Sequence, residues 1–493
     1  MNVTEYLEFD ATGLAQLVKS KEVSIEEVAD CANIRYEQVN STINAVIYHQ
    51  PSAVNELAHT APEAPFYGVP FLVKDLQCAV QNQPMTMGSR GIRWIPDADC
   101  TLAQRWRHAG LSLIGKTNTP ELGLIITTEP KAHGPTHNPH KFGFSSGGSS
   151  GGSAAAVVCG IVPMAHAGDG GGSIRFPAAW CGAFGFKPTR GLTPLGPELG
   201  EEWSGAVVEH GITRSVRDSA ALLDVTAGED IASPFIQQKN VASYRAIIEK
   251  PLSKMRIGVS VEPFISTNVD AEVVQAVRQT AHDLEQLGHT IRWDTPAFNE
   301  AEYWQSFLIT IAGHVAATVH NIERDFGKRA VAMLEPATKN LAMLGRSFSS
   351  ADFVSAQYKW QRIRAQFNRY LEEFDCFLSP TVPTTAVAHQ ALLKSPAEEW
   401  LLELSSYFKI GRLSLKLGLV EQMALPVLRT MGFTLLGNIT GFPAMSLPLA
   451  THTNGLPIGV QVTGRFADDA RLLQLAKQLE SQFKTKVVEP AVG

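Results

Sequence analysis

Polar and apolar positions change period several times along the chain, and each change predicts an element. Residues 10–20 carry apolar side chains at helical spacing, and Ser24-Ile25-Glu26-Glu27 sets a serine three residues ahead of a glutamate, the capping box that opens a second helix. The period then shortens: Val69, Phe71, Leu72 and Val73 form an apolar, strand-like run that ends at Lys74 and Asp75. Residues 101–108 read as a helix with Gly110 as its stop, followed by a buried strand at 111–114. Residues 153–158 are small and apolar, as in a helix packed tightly on its neighbours. Leu124, Ile125 and Ile126 suit a buried strand and the wall of a substrate channel equally well. From about 271 to 370 the pattern is helical, and residues 401–431 form a further apolar stretch. Helix and strand alternate throughout, which predicts the α/β class.

Glycine is concentrated where the pattern breaks. Gly147, Gly148, Gly151 and Gly152 surround Ser149 and Ser150, and Gly168, Gly170, Gly171 and Gly172 lead into Ser173. Without a Cβ the main-chain N–H groups can approach a ligand closely, so the two serine loops at the ends of one short helix read as an active site. The successive N–H groups of Gly170, Gly171, Gly172 and Ser173 are candidates for a nest that holds an oxyanion.

A serine nucleophile needs a base. Lys74, at the end of a buried strand, is one candidate, because burial favours its neutral amine; a surface-like pairing with Asp75 is the plainer alternative. His166, close to Ser173 in sequence, is the other candidate base and is equally consistent with a core histidine. Residues 147–151 satisfy G-x-S-x-G, the elbow of histidine-dependent hydrolases, but residues 142–146 do not read as a β-branched strand feeding it. Residues 110–117 match the P-loop letters, G-x-x-x-x-G-K-[ST], yet they follow a predicted helix and enter a strand, which rejects nucleotide binding.

Lys74 in GVPFLVKD, Ser149 in GGSSGGS and Ser173 in GDGGGSIR resemble the amidase signature family. The likeness extends from Asn44-Ala45-Val46 through GKTNTPELG (115–123) to FDCFLSPTVP (374–383), NITGFPAMSLP (438–448) and GLPIGVQVTG (455–464). The segments TTEPKAHGPTHNP (127–139) and MAHAGDGGGS (164–173) are most similar to the branch of 6-aminohexanoate cyclic-dimer hydrolases. The commonest family text before the nucleophile is GTDTGGS, so Gly168 and Gly170 stand here in place of hydroxyl residues.

The resemblance implies one large domain over residues 1–493, with a central mixed, twisted β-sheet covered by helices on both faces. Its catalytic core spans about 66–224, and a variable helical region at about 271–431 shapes the pocket. It implies that Ser173 attacks an amide carbonyl, Ser149 relays the proton through a cis peptide bond and Lys74 accepts it, with no metal or organic cofactor. Asp169 and Arg175 brace the loop as an ion pair, Ser150 and Ser153 support it, and a homodimer is consistent with the family. The substrate is a small aryl, aliphatic or cyclic amide. The alternative is the glutaminase A subunit of a tRNA-dependent amidotransferase complex; a non-catalytic scaffold is disfavoured because all three triad residues are present.

Composition narrows the picture further. The net charge is −6, which predicts no nucleic-acid partner. No apolar run reaches the length of a membrane span, and the first residues lack a signal-peptide core, so a cytoplasmic enzyme is expected. The six cysteines lack C-x-x-C spacing and read as reduced core thiols.

Overall fold

A computed structural model describes residues 1–235, 239–392, 419–483 and 485–492. Its spine is an 11-stranded sheet, flanked by helices. In chain order the strands are β1 Val46–His49, β2 Pro70–Lys74, β3 Ser112–Thr117, β6 Met164–Asp169, β7 Phe184–Lys187, β8 Val208–Thr213, β9 Arg256–Val259, β10 Thr290–Trp293, β11 Cys376–Pro380, β12 Ala444–Thr451 and β13 Pro457–Gly464. Strands β4 His137–Asn138 and β5 Lys141–Ser145 form a separate two-stranded ribbon. The sheet order is β1-β3-β2-β6-β8-β7-β12-β13-β11-β9-β10. It is mixed: β3, β2 and β6 run parallel, as do β11, β9 and β10, and the pairs from β6 through β8, β7, β12 and β13 to β11 are antiparallel.

Strands β2, β3, β6, β8, β11 and β13 are buried along their whole length. Burial of every position requires cover on both faces, which explains why Phe71, Leu72 and Val73 read as a continuous apolar run instead of an alternating one. The predicted N-terminal helices form at Ala11–Lys19, capped by Asp10, and at Ile25–Ile43, with the Ser24 and Glu27 capping box closed in both directions. The helix Thr101–His108 and the strand that follows it are also present, and Lys116 and Thr117 of the P-loop look-alike lie in β3, not at a helix N-terminus.

Three expectations differ. Residues 271–370 are not wholly helical: β10 lies between the helices Ala271–Gln286 and Glu300–Met333, where a short run with β-branched and aromatic residues adds to the sheet edge beside β9. Leu124, Ile125 and Ile126 form a loop, not a strand, because Leu122 adopts φ 51° and turns the chain. Residues 142–145 are a strand after all, but one of the small ribbon. Most of the apolar stretch 401–431 lies outside the described residues; its described part is the helix Leu419–Thr430.

Candidate active site

Lys74 is the last residue of β2 and is 1% exposed. Its side chain reaches the loop ahead of the helix Gly151–Val158, where Lys74 Nζ donates to Ser149 Oγ at 2.7 Å. The peptide bond between Gly148 and Ser149 is cis. A side chain at Gly148 has no room: its Cβ would lie 2.7 Å from the Ile125 carbonyl oxygen and 2.8 Å from the Thr127 nitrogen. The apolar residues at 124–126 therefore press the serine loop into place through their backbone. Asp75 does not serve as the partner of Lys74, since its carboxylate accepts from the Thr86 N–H at 3.0 Å and from the Thr86 hydroxyl.

Burial pushes the Lys74 amine down to about 8, against the opposing pull of Glu209, Asp169 and Glu202. A free lysine at neutral pH is almost entirely charged; this one is neutral in about a tenth of molecules, several hundred times more often than a free amine. When the amine is neutral, the contact with Ser149 can run in reverse, with the serine hydroxyl donating.

Ser173 lies half-buried just past the end of β6, one residue before the N-cap of the helix Arg175–Cys181. The loop that presents it is built around Asp169 and Arg175, both without solvent exposure. Arg175 Nε donates to Asp169 Oδ2 and Nη2 to Asp169 Oδ1, each at 2.9 Å. Burial alone would favour the neutral acid, but Arg175 and Asn438 hold the Asp169 carboxyl down at about 2. Asp169 also accepts the N–H of Gly172 at 2.7 Å and of Ile174 at 3.2 Å. The Gly172 N–H thus donates to a carboxylate here, so of the four expected oxyanion donors it is Gly170, Gly171 and Ser173 that are not committed to Asp169.

Ser150 Oγ donates to the Gly168 carbonyl at 3.4 Å, and Ser153 Oγ to the His166 carbonyl at 2.7 Å, so both serines tie their helix to β6. Three residues from the far end of the chain join them without having been singled out in sequence. Asn438 Nδ2 donates to the Asp169 carbonyl and carboxylate, Thr434 Oγ1 donates to the Gly171 carbonyl at 2.7 Å, and Gln461 Oε1 accepts from Arg175 Nη1 at 2.8 Å. The NITGFPAMSLP and GLPIGVQVTG segments contain Asn438 and Gln461, but nothing local marks either as a partner of a loop more than 260 residues earlier.

The two glycines that replace hydroxyl residues of GTDTGGS have a steric cause. A Cβ on Gly168 would lie 2.4 Å from each carboxylate oxygen of Glu209, and one on Gly170 would lie 2.8 Å from two ring carbons of Trp203. The neighbouring Gly171 abuts Met431, Phe307 and Leu435, so apolar side chains from the helical region close over the Ser173 loop.

His166 does not pair with Ser173. Its Nδ1 accepts the Lys74 N–H at 3.3 Å, and its Nε2 contacts Glu209 Oε2 at 2.7 Å. Cys78, His166 and Glu209 do bring one potential ligand atom each within 4.8 Å. However, burial favours the neutral imidazole, and a ring that accepts at Nδ1 and donates at Nε2 has no lone pair free for an ion. All six cysteines are free and buried, as expected. Among the described residues no helix is long and apolar enough to cross a membrane.

A lysine is thus hydrogen-bonded to a serine beside a cis peptide, and residues 27–473 match the family model Amidase. The chain belongs to the amidase family. It is 35% identical to the 6-aminohexanoate-cyclic-dimer hydrolase of Paenarthrobacter ureafaciens, over 96% of this chain and 94% of that one, and 31% identical to an acylamidase of Rhodococcus erythropolis with the same coverage. The solved structure of 6-aminohexanoate cyclic dimer hydrolase complexed with substrate superposes with a TM-score of 0.87 at 32% identity, covering 97% of each chain. This amidase is accordingly a hydrolase acting on amide bonds.

Proposed function

We propose that this amidase cleaves its substrate through an acyl-enzyme on Ser173, with Ser149 as proton relay and Lys74 as general base. The observation that carries the reading is the 2.7 Å contact between Lys74 Nζ and Ser149 Oγ, with the lysine amine made partly neutral by burial. As Ser173 Oγ bonds to the carbonyl carbon, its proton passes to Ser149 while the proton of Ser149 passes to Lys74. The carbonyl oxygen becomes an oxyanion, held by the N–H groups of Gly170, Gly171 and Ser173. On collapse the C–N bond breaks, and the departing nitrogen takes a proton back along the same relay. Water then repeats the sequence against the ester and releases the acid.

The substrate we propose is a small, uncharged amide with an aliphatic chain, of the class of the 6-aminohexanoate cyclic dimer. The apolar packing of Phe307, Met431 and Leu435 on the nucleophile loop favours such a chain, as does the likeness to the cyclic-dimer hydrolases. Amine release would be measured for the purified protein with the cyclic dimer, linear aliphatic amides, aryl anilides and glutamine, using Ser173→Ala as blank. The cyclic dimer or an aliphatic amide should be turned over fastest, with nothing released by the blank. Preference for glutamine with ammonia release would instead point to a glutaminase subunit, and equal release by the blank would rule out the Ser173 acyl-enzyme.

A further inference from the structure

Beneath Lys74 lies a buried imidazole and carboxylate that the triad does not use. His166 of β6 and Glu209 of β8 have no exposed side-chain surface. Because His166 Nδ1 accepts the Lys74 N–H, the ring proton resides on Nε2 and is donated to Glu209 Oε2. The other carboxylate oxygen, Oε1, has no hydrogen-bond partner among the described residues. An unpaired oxygen on a fully buried acid is costly, and the chain makes space for it with a glycine at 168, since any Cβ there would collide with the carboxylate.

We propose that Glu209 is a positioning residue for amide hydrolysis: through His166 it fixes the backbone of Lys74, and its unpaired oxygen supplies the counter-charge for the Lys74 ammonium formed when the proton leaves Ser149. The inference rests on Lys74 acting as the base. Of the groups facing that amine, Glu209 opposes the effect of burial most strongly, ahead of Asp169 of β6, Glu202 and Cys78. His166 separates the carboxylate from the Lys74 backbone, and Lys116 of β3 adds a second buried amine to the cluster. Without Glu209 the amine would lose its proton more readily and would be a weaker acceptor for the proton of Ser149.

The test is the pH dependence of kcat and kcat/KM in Glu209→Gln, with Lys74→Ala measured in parallel. Removing the charge should move the acid limb of kcat/KM to lower pH by about one unit and lower kcat about tenfold. Glu209→Asp, which keeps the charge, should retain the wild-type limb. A purely structural role would lower kcat without moving the limb, and that result in a folded Glu209→Gln protein would overturn the proposal. Should that variant not fold, Glu209→Ala combined with Gly168→Thr removes the same charge while refilling the space, and the same shift is expected. Failure of both to fold would place Glu209 in the core and equally overturn the proposal. A Lys74→Ala protein that keeps wild-type turnover would overturn the triad instead, whatever Glu209 does.

Discussion

With Lys74 as the proposed base, the chemistry rests on a single buried amine whose protonation state should decide activity. Only the neutral form can accept a proton, and burial sets its pKa at about 8, so kcat/KM should rise with pH through about 8 and fall roughly tenfold per unit below it. A pH–rate profile flat from neutral to acidic conditions would exclude Lys74 as the base. In the same assay Lys74→Ala and Ser149→Ala should each lose about three or more orders of magnitude, because members of a relay act as a unit. The lysine was legible in the sequence because an apolar strand ending in an ammonium group is anomalous in one dimension, and the serines because glycine surrounds them. Glu209 and Asn438 were not legible. Each acts through contacts made across 43 and 269 residues, and neither is unusual among its sequence neighbours.

The helix Gly151–Val158 determines where Ser149 sits, and its placement depends on the absence of one side chain. A Cβ on Gly152 would lie 2.4 Å from the Asn118 nitrogen and 2.6 Å from the Ala45 carbonyl oxygen, and neither backbone can give way easily, since Asn118 N–H is itself bound to that carbonyl at 2.9 Å. Gly152→Ala should therefore destabilise the fold by about 3 kcal/mol or more, at the upper end of the cost of overpacking, and should lower kcat by moving Ser149 away from Lys74. Denaturant unfolding and kcat together check this; an unchanged unfolding midpoint would show that the helix is not held by that contact. The element was readable from its small apolar composition. The reason for glycine at 152 was not, because the obstacle comes from two separate strand ends. The edge strand β10 was hidden for a related reason: four residues gain strand character only by pairing with β9.

Across the whole molecule, the Ser173 loop is assembled from both halves of the chain. The ion pair of Asp169 and Arg175 forms within the first half, but Arg175 also donates to the Thr434 carbonyl, Asn438 Oδ1 and Gln461 Oε1. The sheet order accounts for this, because β6, β8, β7, β12 and β13 are successive neighbours, which brings residues 164–169 and 457–464 into one continuous sheet. Asn438 is the most connected of the distant partners. It donates to the Asp169 carbonyl at 2.9 Å, the Asp169 carboxylate at 2.8 Å and the Ala206 carbonyl at 3.1 Å, and it accepts from Arg175 at 2.7 Å. Asn438→Ala should cost about 3 kcal/mol of stability, since it strands several buried polar groups at once. It should also depress kcat more than it raises KM, because the Asp169 carboxylate it releases is the group that holds the Gly172 N–H and shapes the turn into Ser173. Unfolding midpoints and separate kcat and KM values test both effects. A folded variant with unaltered kcat would show that the first half of the chain holds the loop rigid by itself, and would confine the C-terminal segments to the stability of the sheet.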